Sequence, residues 1–338
     1  MLSFLAPVYP TLGDKKQPRA LAGNLMIMAL LSVNYKPAAT PCGVSRRGLA
    51  VLLLALAAAI PGQAQSAPDP RSPPVQASDL FAQVITQQKK SEADLDQFSR
   101  VQRIESKKTG GDPSAIDTKV LLLFPSGIAL SKLPLTQEGM PPDSAAYRAE
   151  LDKLEKYLSW VVQDGPSQRE AFAKAERRRK ERFELIEATH QAFTFTLEGK
   201  ETRAGRTLLR YSMAPRKDYK PNSRMTTLFT KVRGTIWIDE QSSQLAKVEG
   251  EVTEDISLAL FLARVNKGSH FMQERYEIAP GVWEPTFEQY DFDGRKYFMS
   301  FSIHERTFYT DYKRVGPPRE SLPLVRAELS KLSPENKP

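Results

Sequence analysis

The chain is poor in the residues that build disulfide frameworks and metal centres. Its 338 residues include one cysteine, Cys42, and three histidines, His190, His270 and His304. A single cysteine excludes a disulfide framework and any zinc site made of several cysteines. Three scattered histidines leave little material for a histidine-rich centre. We therefore expect no metal site and no cofactor.

Catalytic signatures are also missing. The sequence has no G-x-S-x-G, no phosphate-binding P-loop, no G-x-G-x-x-G and no complete H-E-x-x-H, although His304-Glu305 begins the last of these. The three histidines fall on separate predicted elements, which favours structural or surface roles for them. We predict a protein with no catalytic residues that is not an enzyme. An exported hydrolase is the least favoured alternative, because no spacing reveals a nucleophile and base.

The excess of basic residues is concentrated in the leader. The whole chain has 48 lysines and arginines against 40 acidic residues, but the first 64 residues carry six basic residues and one acidic residue. From residue 65 onward, 42 basic residues face 39 acidic ones. The mature chain is therefore nearly balanced, and we expect no nucleic-acid partner.

Residues 46–65, RRGLAVLLLALAAAIPGQAQ, have the organisation of a secretory signal peptide. Two arginines precede a 13-residue apolar run, and Pro61-Gly62 and the small residue Ala64 follow it. The run is too short for the roughly 20 residues that span a bilayer. We predict cleavage near Ala64 and a periplasmic protein; an uncleaved N-terminal anchor is the alternative.

The segment before the apolar run, residues 1–43, has no periodicity that indicates a fold. We interpret it as an upstream extension, with translation starting near Val44. Cys42 precedes the run and no lipidation pattern follows it. We therefore expect an exported protein without a lipid anchor.

Hydrophobic periodicity predicts an α+β fold for the mature chain. After a Pro-rich linker at 65–77, a helix begins at Ser78, and strands follow at 98–106, 118–124 and 128–133. A helical hairpin is inserted at 143–188. Its first helix carries an apolar stripe at three- and four-residue spacing, Tyr147, Leu151, Leu154, Leu158 and Val161.

From residue 193 the period becomes two, which indicates an antiparallel meander. A hairpin turn is predicted at Asp293-Gly294 and a short apolar helix at 258–265. Residues 315–338 read as a flexible tail. Together these patterns predict one curved antiparallel sheet, an unclosed barrel, wrapped over helices.

One face of the predicted sheet is rich in methionine and aromatic residues. Such a face is either plain core or the lining of a cavity that takes acyl chains. The candidate lining residues are Phe193, Phe195, Leu197, Leu209, Tyr211, Met213, Ile236, Ile238, Tyr290, Phe292, Tyr297, Met299, Phe301 and Ile303.

A basic run, Arg177 to Lys180, lies in the second helix of the inserted hairpin. Such a run could grip phosphates or an anionic membrane surface. Four glutamates between 170 and 184 partly cancel its charge, so a solvated helix face is the favoured interpretation.

Two pairs of segments carry a resemblance to a known group. GTIWID at 234–239 with QLAKVE at 244–249, and GVWEPT at 281–286 with DFDG at 291–294, resemble the outer-membrane lipoprotein-sorting superfamily. That superfamily contains the lipoprotein carriers of the Lol pathway, mycobacterial lipid-carrying relatives and the RseB/MucB sensors. The likeness covers about 190–310 and, more faintly, 97–134. The hairpin at 143–188 is longer than expected in the simple carriers.

The resemblance implies an unclosed β-barrel over helices with a hydrophobic cavity, and non-catalytic binding of an acylated molecule. No ligand-gripping residue of the carriers matches a position in this chain. We therefore predict a carrier-like domain at 78–314 that binds or transports a lipid or lipoprotein in the periplasm, as a monomer. The alternative is an exported sensory or scaffold module that holds a protein partner through the curved sheet or the hairpin.

Overall fold

The computed structural model describes residues 77–107, 115–258, 263–296 and 299–332. In these residues the chain has the predicted α+β class: five α-helices and an antiparallel sheet of twelve strands that does not close into a barrel. The predicted leader at 1–64, almost all of the linker at 65–77 and the candidate residue Tyr297 lie outside the described residues.

The helices differ greatly in length and position. Two short 3-10 turns, Leu95–Gln97 and Leu228–Lys231, follow the first and the fourth of them. The five helices are α1 (Ala77–Asp94), α2 (Ser144–Val161), α3 (Pro166–Ala192), α4 (Arg224–Thr227) and α5 (Pro318–Lys331).

The sheet follows the order β3-β2-β1-β12-β11-β10-β7-β6-β5-β4, and β9 pairs with both β8 and β11. Within the described residues β3 and β4 form its two open edges. The strands are β1 (Phe98–Lys107), β2 (Ile116–Pro125), β3 (Leu130–Leu135), β4 (Phe193–Arg203), β5 (Arg206–Pro215), β6 (Val232–Asp239), β7 (Leu245–Val252), β8 (Ile256–Leu258), β9 (Ala263–Val265), β10 (His270–Ala279), β11 (Val282–Lys296) and β12 (Met299–Arg314).

Alternation along the strands separates a concave, buried face from a convex one. Tyr211 pairs with Ile236, and Ile236 pairs with Val248 on the next strand, so the three side chains lie side by side on one face. Farther across the sheet Phe271 pairs with Tyr290 on the same face. These residues belong to one core cluster that extends from β4 to β12. The sheet therefore wraps around whatever covers this face.

Helix α1 covers the concave face. Its Phe81 and Val84 are buried in the core cluster of the sheet, and the helix packs on β11 and on α3. Burial recurs at three- and four-residue intervals through Gln88 and Ser91 to Leu95, as expected for one flank of a helix. α1 is thus held between the sheet and α3.

The apolar stripe predicted on α2 is confirmed. All five stripe residues are buried, and the helix begins at Asp143, whose carboxylate accepts hydrogen bonds from the backbone N–H groups of Ala145 and Ala146. The stripe packs on α5 and β3, where Leu322 and Val325 complete a second core cluster. The two inserted helices therefore belong to different core clusters: α2 packs in the second cluster, whereas α3 packs on α1 beside the first.

The prediction of a flexible tail at 315–338 was wrong for residues 315–332. This segment forms α5, which begins with Pro318 in its first turn, where the missing backbone N–H costs nothing. Its prolines and charges suggested a loose chain, but Leu322 and Val325 face α2. Val315 also ties the segment to the start of β1, because its N–H donates to the carbonyl of Gln97.

Two local predictions near the end of the meander were also wrong. Asp293 and Gly294 lie inside β11, paired with Ser302 and Phe301, so they form no turn. The glycine is needed there for close approach, since a Cβ would collide with the Phe301 ring and the backbone of Arg264. The apolar helix expected at 258–265 is replaced, in its described parts, by the paired strands β8 and β9.

We expect α5 to be part of the folding unit. Leu322→Ala should lower the free energy of unfolding by about 2–4 kcal/mol, because it leaves a cavity in the core between α2 and α5. Leu324→Ala is the matched control, since Leu324 is 52% exposed on the same helix and should change stability by less than about 0.5 kcal/mol. Urea denaturation followed by circular dichroism measures both; equal effects would mean that α5 is not docked.

Candidate functional site

Most of the candidate lining residues meet on the concave face. Alternation places them on one side of five strands, β4, β5, β6, β11 and β12, with β7 and β10 between β6 and β11, and they form the apolar wall opposite α1. Those buried in the same core cluster are Phe193, Leu209, Tyr211, Met213, Ile236, Ile238, Tyr290 and Phe292.

The remaining described candidates form a rim around this wall. Phe195, Phe301 and Ile303 are partly buried and pack against the cluster. Leu197 on β4 is 52% exposed and Met299 on β12 is 70% exposed, so each reaches water at the margin of the concave face. The apolar surface is therefore continuous from the buried wall to the solvent.

Helix α1 fills the space in front of the wall. The ring centroids of Phe81 and Phe195 are 4.0 Å apart, and those of Phe81 and Tyr211 are 5.4 Å apart in an edge-to-face arrangement. Val84 is fully buried one turn later. In this structure the protein's own helix thus occupies the position in which a guest would be held.

A pair of glycines deepens the wall opposite the helix. Gly234 on β6 pairs with Gly250 on β7, and the ring of Phe271 occupies the place where a side chain of Gly250 would stand. The ring therefore packs directly on the backbone of Gly250, which only a glycine allows.

Along β10 and β11 the same face becomes polar two residues farther on, whereas the level positions of β5, β6 and β7 stay apolar. Glu288 follows Tyr290 at the next inward position of β11 and is 3% exposed. Its carboxylate accepts hydrogen bonds from Gln273 Nε2 (2.8 Å) and from the Tyr309 hydroxyl (3.0 Å), and Gln102 Nε2 donates to the Tyr309 oxygen at 3.1 Å. We call Gln102, Gln273, Arg275, Glu288 and Tyr309 the polar floor.

Arginines extend the polar floor toward β1. Arg275 Nη2 donates to the carbonyl of Trp283 at 2.7 Å and lies 3.9 Å from the carboxylate of Glu284. The guanidinium of Arg100 lies over the Tyr309 ring, 5.8 Å from its centroid. Both arginines and Glu284 are at most 3% exposed, so this is a desolvated ionic region inside a sheet face.

Burial shifts the protonation equilibria of the polar floor. Desolvation raises the pKa of the Glu288 carboxyl, although the hydrogen bonds from Gln273 and Tyr309 act to lower it. Desolvation also raises the pKa of the Tyr309 and Tyr290 hydroxyls well above the usual value for tyrosine, and the nearby Glu288 carboxylate adds to this effect. The floor therefore favours neutral forms of these three groups.

The polar floor was missed from the sequence, although one signal was present. Period-two alternation from Phe271 places Gln273 and Arg275 on the inner face, and alternation from Tyr290 does the same for Glu288. Their partners Gln102 and Tyr309 come from β1 and β12, and only the strand register brings them together.

Two of the histidines flank Asp291 on the convex face. Asp291 pairs with His270 on one side and with His304 on the other, and its carboxylate is 2.9 Å from His304 Nδ1. Burial acts to raise the pKa of Asp291, but hydrogen bonds with Gln289 and His304 outweigh it and the pKa is lowered. Among the described residues no group of histidine, cysteine or carboxylate side chains is arranged to hold a metal ion.

The basic run on α3 makes contacts inside the protein. Arg178 Nη2 donates to the carbonyl of Ile128 at 3.0 Å, and Arg179 forms an ion pair with Asp96 at 3.0 Å, just after α1. Arg182, one turn later, lies 3.4 Å from the carboxylate of Glu92 on α1. These arginines help to hold α3 against its neighbours.

The raised pKa of Glu288 gives a prediction on stability and pH. A carboxyl whose pKa is higher in the folded state stabilises the fold at low pH, and this contribution is lost as the pH rises through the folded value. Glu288→Gln keeps an uncharged acceptor in place. We expect the free energy of unfolding of this variant to increase relative to that of the unchanged protein between pH 4 and pH 8, because only the unchanged protein loses stability as Glu288 ionises.

Urea titrations at several pH values between these limits measure that difference. A difference that stays constant with pH would mean that the Glu288 carboxyl titrates as it does in the unfolded chain.

None of the described helices contains an 18-residue stretch apolar enough to cross a membrane. No family model and no curated protein matches the sequence. Two solved structures are similar in fold. A domain described as an outer membrane lipoprotein-sorting protein, from Vibrio parahaemolyticus, is matched over 68% of this chain and 90% of its own, at 8% identity and a TM-score of 0.27.

A DUF1329 family protein from Desulfovibrio piger is matched over 68% of this chain and 91% of its own, at 10% identity and a TM-score of 0.23. At such TM-scores the likeness gives no basis for a function, which has to be argued from the concave face itself.

Proposed function

We propose that this protein binds an acylated ligand, a lipid or a lipoprotein, without chemical change, between the concave face of the sheet and helix α1. The observation that carries the proposal is the continuous apolar surface that begins at exposed Leu197 and Met299 and ends in the buried wall around Tyr211. A surface of this kind offers an acyl chain a path from water to a dry site.

Uptake of a ligand requires α1 to move from the wall. Exposing Phe81 and Val84 would cost about 3–6 kcal/mol, at roughly 1.5–3 kcal/mol for each side chain. Burying an acyl chain of about twelve carbons returns on the order of 9 kcal/mol, at about 0.8 kcal/mol for each methylene. Leu80 and Ile85 are partly buried and add to the cost, so the two amounts are of similar size and an acyl chain of this length can compete with α1 for the wall.

The contacts of α1 favour movement of the whole helix away from the sheet over unfolding of the helix. α1 contacts the sheet chiefly through side chains of one flank, and its ties to α3 include the ion pairs Lys89–Glu187 and Arg182–Glu92. The more exposed pair, Lys89–Glu187, contributes little and re-forms easily, whereas the carboxylate of Glu92 is buried.

We further propose that the protein is exported to the periplasm, on the basis of the leader at 46–65, and that it acts there as a monomer. A lipoprotein would present the same acyl chains as a free lipid, with a protein partner attached. The alternative of a scaffold that binds a partner through the inserted helices has less support, because α2 already packs its apolar stripe on α5 and β3.

Lipid extraction and mass spectrometry of the purified protein test the proposal directly. We expect co-purified acyl lipids in roughly stoichiometric amount and saturable binding of a fluorescent fatty-acid probe. If the purified protein contains no lipid and also fails to bind the probe, the proposal is refuted.

A pair of variants on β4 locates the site. Phe195→Asp introduces a charge at the mouth of the wall and should weaken probe binding by at least about ten-fold, because a buried carboxylate beside an acyl chain has no partner. Thr196→Asp is the matched control, since Thr196 is exposed on the opposite face of the same strand, and its binding should be unchanged. Circular dichroism confirms that both fold; equal loss in both variants would place the site elsewhere.

A further inference from the structure

The polar floor has more hydrogen-bonding capacity than the protein itself uses. Among the described residues no partner lies within hydrogen-bond reach of Nε and Nη1 of Arg275, or of the amide oxygens of Gln102 and Gln273. These three side chains are at most 3% exposed. Buried donors and acceptors are almost always paired in folded proteins, so such a group of unmet atoms calls for a polar guest.

The floor continues the proposed acyl site along the same strands. Phe271 and Tyr290 pair across β10 and β11, and the next inward pair is Gln273 and Glu288. One step of about 7 Å along a strand therefore separates an aromatic surface from a hydrogen-bonding one. A chain with an apolar tail and a polar head matches this sequence of surfaces.

The covering helix shows the same change of polarity. The buried flank of α1 is apolar at Phe81 and Val84 but polar at Gln88 and Ser91, and Gln88 Nε2 also lacks a partner among the described residues. Gln87 accepts a hydrogen bond from Gln244 Nε2 at 3.2 Å, in the turn that leads into β7.

That contact fixes which end of the sheet the polar half of α1 covers. β7 begins at Leu245, and its Lys247 pairs with Glu274, so the turn at Gln244 lies at the Arg275 end of the concave face. The polar half of the helix and the polar floor are therefore at the same end of the sheet.

The buried donors and acceptors that lack hydrogen-bond partners, together with the charges around them, also indicate the charge of the ligand's head group. Arg275 offers donors, whereas Gln102 and Gln273 offer acceptors, so a head group needs both acceptor and donor functions. The two buried arginines disfavour a cation, and the carboxyl groups of Glu284 and Glu305 disfavour an anion. Burial raises the pKa of Glu288, which keeps the region close to neutrality.

We infer that the polar floor binds an uncharged, hydroxyl-bearing head group of the acylated ligand, of the glyceryl or glycosyl class. Hydroxyl groups donate to the amide oxygens of Gln102 and Gln273 and accept from Arg275. This inference rests on the proposed acyl site and adds the chemistry by which that site selects its ligand.

Displacement of a bound fluorescent fatty acid from the full chain tests the inference. The competitors share a fourteen-carbon chain and differ in the head: 1-monomyristoylglycerol, tetradecyl maltoside, myristate and tetradecyltrimethylammonium. We expect at least one of the two uncharged heads to displace the probe at about ten-fold lower concentration than either charged head, which corresponds to one or two additional hydrogen bonds. The first two competitors distinguish a glyceryl from a glycosyl ligand.

Substitutions then assign the preference to the floor. Gln102→Met and Gln273→Met keep the side-chain volume and remove the amide, so each should reduce the preference for the uncharged head at least about three-fold while myristate still binds. Gln289→Met is the matched control, because Gln289 is adjacent to Glu288 on β11 and faces the convex side. It should leave the preference unchanged.

The outcomes separate the two proposals. If all four competitors displace the probe from the unchanged protein at concentrations within two-fold of one another, the inference is overturned and the acyl site is unaffected. The polar floor would then be solvated by buried water only. Failure of the probe to bind at all would overturn both. The comparison of heads needs no variant, so it decides the inference even if the methionine variants do not fold.

Discussion

Helix α1 is the element that separates the apolar face of the sheet from water, and the arrangement of the other elements follows from this contact. A sheet of twelve antiparallel strands with one apolar face has to bury that face against another layer. Here the sheet curves around a single helix, and Phe81 contacts both β4 and β5. α3 lies behind α1 and is tied to it by Arg179 and Arg182. The covering layer is thus thin, and buried apolar contacts and ion pairs together hold it in place.

A thin cover has an energetic consequence for the polar floor. Desolvating the Arg275 guanidinium and the Glu288 carboxyl opposes folding unless partners satisfy them, and some of their neighbours are left with unmet atoms. A protein that needed only a stable core would be more stable with leucine at such positions. Retaining polar side chains at the inner end of an apolar wall is the arrangement expected of a site that also selects what enters it.

How much of this could be predicted from the sequence depends on the range of the contacts. The stripe on α2 and the inward alternation on β5 are local periodicities, and both predicted burial correctly. The Asp293-Gly294 pair misled because a local turn signal competed with a long hairpin, and the packing of the Phe301 ring against Gly294 decided the outcome. The burial of α5 and the meeting of Gln102 with Tyr309 depend on partners far away in sequence, which no local pattern contains.

The segment GTIWID at 234–239 shows how one local pattern serves both faces. Ile236 and Ile238 point inward to the wall, whereas Trp237 lies on the convex face. There the ammonium of Lys247 lies 4.7 Å from the Trp237 ring centroid and the guanidinium of Arg210 lies 5.9 Å from it. Cationic side chains over an aromatic ring are held by cation–π attraction, and here they cover the ring so that it does not form an exposed apolar patch. The outer tryptophan is thus only 6% exposed, and along these central strands the broad apolar surface is the concave face that α1 covers.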